Sequence, residues 1–231
     1  MFKTIREYYL SELVNLQNSN SSASCSLRTR IESLREHLLK IFDWKDVGTI
    51  VFLPNPYYAK ITLINYLLKN SDKSKVGFFS NSKERDSFIF EQNNLNAKYF
   101  KNLEELSHSN FDTSVCFLSE LEKCFDDKNL SLEDTWCKKD NCRYLVVEVL
   151  GEFSKLIKES DVFIFTPMPG VTVMGFKNYL KLEPVILGSK SVVHADRIKY
   201  AVSDLLYKFE CGTLHLPLLL SIENYYRNSS N

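Results

Sequence analysis

The chain has 231 residues, 44% of them hydrophobic and 25% charged, which excludes a disordered chain and leaves length for one large core or two small ones. Its 29 basic and 29 acidic side chains cancel to zero net charge, so no overall field would draw it onto nucleic acid or an acidic membrane. The 6 cysteines are too scattered for a disulfide scaffold and read as reduced thiols of a cytoplasmic protein, while no run nears the ~18 apolar residues of a membrane span and the first ten residues lack the apolar core of a secretory signal.

In chain order, Ile5, Tyr9, Leu13 and Leu16 form a helical stripe over residues 3–16. The polar run Gln17–Ser24 follows as a linker, so residues 1–24 read as an N-terminal helix and connection. A second helix spans about Leu27 to Phe42, with Ile31, Leu34, Leu38 and Ile41 on its apolar face and Arg28, Arg30, Glu32, Arg35 and Glu36 on its wet face. Thr49–Leu53 is a buried strand closed by Pro54-Asn55-Pro56, and helical spacing resumes at Ala59, Leu63, Tyr66 and Leu67.

Strand and helix patterns then alternate. Strands are expected at 75–79, 98–100, 114–118, 144–148 and 162–166, with helices near 83–92, 103–107 and 120–125, and Asp126–Cys142 as a charged exposed insertion. The strands are continuous apolar runs, which is the mark of a parallel sheet covered on both faces. The expected fold is therefore α/β, a three-layer sandwich with a mostly parallel central sheet, and any ligand belongs beyond the carboxyl ends of the strands. A main domain is placed at 25–226 and a frayed tail at 227–231.

The run Asp161-Val-Phe-Ile-Phe-Thr-Pro-Met-Pro-Gly170 places an acidic residue before an apolar strand that ends in a small-residue turn. In pattern it resembles the class V aminotransferase and cysteine desulfurase family, where such a strand ends in Ser/Thr-Gly/Pro-His-Lys and the lysine holds pyridoxal phosphate. Met168 and Pro169 stand at the His-Lys positions here, and neither side chain can form an imine or accept a proton. Further matches follow the same order. Asn55, Pro56 and Tyr57 occupy the small-residue turn and helix start that bind the cofactor phosphate, and a proline there removes one amide donor. Arg85, in Glu84-Arg-Asp-Ser87, replaces the ring-stacking histidine, and Glu148, in Val146-Val-Glu148, replaces the aspartate that holds the pyridine nitrogen. Leu182–Ser189 resembles a family strand, and Lys208-Phe-Glu-Cys-Gly-Thr213 resembles its Arg-x-Glu-x-Gly-Thr motif, whose threonine reaches the phosphate of a neighbouring subunit.

The resemblance covers about Leu27 to Tyr226 and implies the large domain of a pyridoxal-dependent transferase, truncated and degenerate, without the small domain that carries a desulfurase's persulfide cysteine. It implies a non-catalytic relative with no cofactor, acting as a binding or assembly module and dimeric or bound to another protein. Its vestigial pocket comprises Asn55, Tyr57, Arg85, Glu148, Thr166 and Thr213. The alternative is an active pyridoxal-dependent transferase or lyase using a non-standard lysine, for which Lys177 and Lys190 are the candidates, although Lys177 reads better as an exposed residue on a strand or hairpin edge.

Other constellations are weaker. Cys137 and Cys142 with His108 or His194 make one ligand pair rather than the two a zinc site needs, so no metal is expected. Cys211 and His215 read as a structural thiol and its neighbour rather than a nucleophile and base. Tyr57 and Tyr58 read as packing residues, and no Gly-x-Gly-x-x-Gly or Gly-Lys-Ser/Thr loop supports a nucleotide site.

Overall fold

The computed structural model describes residues 2–17, 23–70, 76–80, 88–89, 98–99, 113–119, 143–149, 157, 160–186, 192–195, 200–202, 206–210 and 215–229. The expected helices near 103–107 and 120–125 and the insertion at 126–142 lie outside them.

Among the described residues seven strands share one sheet: β1 (Gly48–Leu53), β2 (Val76–Ser80), β3 (Lys98–Tyr99), β4 (Thr113–Ser119), β5 (Arg143–Val149), β6 (Val162–Met168) and β7 (Val171–Lys177). Their order is β1-β7-β6-β5-β4-β2-β3. β3, β2, β4, β5 and β6 pair in parallel, and β7 runs against both β6 and β1, so every strand but β7 points the same way. The mostly parallel sheet is as expected. A separate antiparallel pair joins β8 (Val192–Ala195) to β9 (Tyr200–Val202).

Successive strand residues face opposite sides, and each side packs helices. Ile50, Phe52, Val147, Val149, Phe163 and Phe165 form one core with α1 (Phe2–Gln17), α2 (Ala23–Ile41) and α4 (Leu216–Ser229). Val51, Leu53, Val146, Val162 and Ile164 form the other with α3 (Pro56–Asn70), through Ala59, Leu63, Ile64 and Leu67. Two covered faces make the three-layer α/β sandwich.

The structure corrects four local expectations. β6 runs on through Thr166 and Pro167 to Met168, so the turn is reduced to Pro169 and Gly170, with Gly170 at φ 96° where a side chain would be strained. The register slips between Phe165 and Met168, which accommodates a proline that cannot donate to the ladder. Lys177 ends β7, a strand flanked on both sides, and its Nζ stacks 4.0 Å over the buried Trp44 ring, so it is no edge lysine. Arg35 is buried rather than wet, and Arg30 turns inward to pair with Glu223 at 2.6 Å. Finally, Leu182–Ile186 forms no strand.

The helix α4 carries on through Arg227, which pairs with Glu223, and Asn228, which donates to the Tyr8 hydroxyl at 2.9 Å. These bonds order the first residues of a tail whose polar composition suggested fraying.

Candidate functional site

The parallel strands end together, which brings the residues after β1, the end of β5 and the β6–β7 hairpin to one side of the sheet. Asn55 is the N-cap of α3: its Oδ1 accepts from the Tyr58 amide at 3.3 Å, and Pro56 takes the first helical position, where its fixed φ suits the helix and a missing amide costs nothing. The helix start thus has one free donor fewer from proline and another engaged by asparagine. Asn55 is exposed, and so is Tyr57, which does not pack over the sheet as expected. Tyr58 is half-buried.

Glu148 shares the α3 face with Val146, because side chains two apart on a strand point the same way. It is buried, and its Oε2 lies 2.9 Å from the Nζ of Lys60, itself buried in the second turn of α3. Lys60, Leu63, Ile64 and Leu67 follow an i, i+3, i+4, i+7 stripe, so the backbone that buries three apolar side chains also carries the ammonium inward. The carboxylate and the ammonium neutralise each other away from water, where a lone charge would be severely penalised.

Thr166 is half-buried, its hydroxyl 3.1 Å from that of Thr172 across the hairpin. Met168 packs against the α1–α2–α4 core and Pro169 is exposed at the turn. Asp161, which opens β6, is buried and accepts a hydrogen bond from the Tyr179 hydroxyl. Arg85, Thr213, Lys190, Cys137, Cys142, His108 and Cys211 lie outside the described residues; His194 is in β8 and His215 is exposed at the start of α4. Among the described residues no three His, Cys, Asp or Glu side chains cluster as metal ligands, and no helix is long and apolar enough to cross a membrane.

The structure also gives Glu210, inside the Lys208–Thr213 motif, a definite place. It is buried in an ion pair with Arg35 and accepts from the Phe52 amide at 3.2 Å. No local motif marks Lys60 as buried, and amphipathic spacing places Arg35 on the wet face of α2. The signal present in both cases was a cation on the apolar stripe of a helix: Arg35 stands in Ile31, Leu34, Arg35, Leu38 as Lys60 stands in its own.

These atoms do not fit pyridoxal phosphate held in the family's manner. At the described positions that the resemblance aligns with the family's cofactor contacts, Glu148 is taken up by Lys60, the start of α3 has Asn55 bound to the Tyr58 amide, and Pro169 and Gly170 of the turn offer no amine. A shallow apolar cleft of about 10 Å³ lies between Tyr58, Ile61 and Val185, and its lining includes neither Glu148 nor Thr166.

No family model matches the chain, and no curated protein matches it by sequence. Solved structures do. The cysteine desulfurase CsdA of Escherichia coli superposes with a TM-score of 0.74 at 15% identity, over 99% of this chain and 65% of that one. The apo cysteine desulfurase of Thermococcus onnurineus gives 0.71 at 13% identity, over 99% and 63%. A variant of C-DES with glycine covalently linked to its PLP cofactor gives 0.64 at 14% identity, over 98% and 68%. The chain has the class V aminotransferase and cysteine desulfurase fold, and it spans 65% and 63% of the two desulfurases.

Proposed function

We propose that this chain is a non-catalytic relative of the cysteine desulfurases, a cytoplasmic binding or assembly module that works as a homodimer and without pyridoxal phosphate. The observation that supports this reading is the Lys60–Glu148 pair, since the carboxylate that the resemblance aligns with the family's pyridine-nitrogen partner is already taken up by an internal ammonium. Lys60 is also poorly placed to serve as a substitute attachment lysine. The aldehyde carbon of pyridoxal projects from the ring position opposite the nitrogen, so an amine bonded to the nitrogen's carboxylate is at the wrong end of the ring. Lys177 is no better, pinned against Trp44.

The test is to incubate the protein with pyridoxal phosphate, record the absorbance, reduce with borohydride and map modified lysines by mass spectrometry. No lysine should carry a stoichiometric adduct; one such adduct, at Lys60, Lys190 or elsewhere, would overturn the reading in favour of an active pyridoxal enzyme with a non-standard lysine. Sedimentation should separately give the mass of two chains, and the mass of one would remove the dimer.

A further inference from the structure

Among the described strands β1 stands at the end of the sheet and pairs only with β7. Its outer side is nonetheless not bare. Ile50 and Phe52, two residues apart, present their backbone groups in the same direction. The Ile50 carbonyl accepts from Arg35 Nη1 at 2.7 Å, and the Phe52 amide donates to Glu210 Oε1 at 3.2 Å. Arg35 Nη2 pairs with that same Glu210 oxygen, and the guanidinium lies 4.5 Å over the Phe52 ring. A donor for the carbonyl and an acceptor for the amide are what a neighbouring strand would supply.

From this geometry we infer that the Arg35–Glu210 pair is an edge plug, which occupies the free backbone groups of β1 and so prevents a second copy of this chain from adding its own β1 there. The occupant it excludes is a second copy for two reasons. Thr49–Leu53 is an apolar, β-branched run without proline, the composition that pairs with itself, and a chain with zero net charge does not repel its copies. Antiparallel pairing of two identical edges would also close with two-fold symmetry. The device is independent of whether the protein binds pyridoxal phosphate.

Stability and association can be separated by experiment, because exchanging a buried ion pair for apolar side chains of similar volume commonly leaves stability unchanged or raised. The variant Arg35→Met/Glu210→Met is compared with the parent by sedimentation velocity over a range of concentrations and by infrared spectroscopy. It should fold, yet associate beyond the parent's mass and gain an intermolecular β band. A folded double variant that keeps the parent's mass at every concentration would overturn the proposal. Hydrogen exchange covers the case in which it does not fold. With Glu210→Gln, which keeps an oxygen acceptor, the Phe52 amide should stay protected. With Glu210→Ala it should exchange at least about tenfold faster while the Ile164 amide in the sheet centre is unchanged. Equal loss at both amides would overturn the proposal.

Discussion

Lys60 Nζ lies 2.9 Å from Glu148 Oε2, with both side chains buried where α3 covers β5. Removing one partner strands the other as an uncompensated charge, so Lys60→Met should cost about 3–5 kcal/mol in urea unfolding, and Lys60→Met/Glu148→Leu should recover most of it. A loss below about 1 kcal/mol, the size of an exposed pair, would show that water reaches the site.

The cap on α3 is open to a milder test. Asn55→Ala leaves the Tyr58 amide without its side-chain acceptor and should lower stability by about 1 kcal/mol, whereas Asn55→Ser should retain most of it. Thermal unfolding of the two variants side by side distinguishes a lost acceptor from a lost side chain.

Gly175 in β7 sits opposite Phe163 in β6, and a Cβ at Gly175 would overlap that ring. The ring cannot easily retreat, since its centroid is 4.5 Å from that of Phe42 and 5.1 Å from that of Trp44. Gly175→Ala should therefore cost about 3 kcal/mol, at the upper end of overpacking, and Phe163→Leu in the same chain should return part of it. Denaturant midpoints of the single and double variants measure both.

Burial raises the pKa of Tyr226 above its ordinary 10.0, with the neighbouring Tyr225 phenol adding to the shift. The neutral phenol is favoured in the folded protein, while the unfolded chain releases the proton near 10.0. The associated stability is thus complete below that pH and is lost as pH rises above it. Tyr226→Phe should move the alkaline unfolding midpoint upward. Absorbance near the tyrosinate band should show one tyrosine in the parent ionising only as the chain unfolds.

Much of the fold was legible because buried strands of a covered sheet need no alternation: Thr49–Leu53 and the run from Val162 read as buried strands, and their order carried the family resemblance. Glu148 and Asn55 were singled out by the motifs they sit in. β7 was harder to read, since Val171–Phe176 is buried without alternation and nothing local states that it turns back between β6 and β1. The same limit applied to Lys60 and Arg35: helical periodicity placed each on an apolar stripe, yet a lone cation there is ordinarily read as an interruption of the stripe.

The sequence by itself determined the layered architecture, the absence of an amine on Met168 and Pro169 and the missing amide donor at Pro56, because each depends on a residue's own chemistry or on near neighbours in the chain. Only the tertiary structure decided that Lys60 meets Glu148 and that Arg35 meets Glu210 on the margin of β1. Those partners are 88 and 175 residues apart in the chain. A buried charge is tolerable only where folding supplies its counter-charge, and which counter-charge arrives is settled by the packing of helices on the sheet.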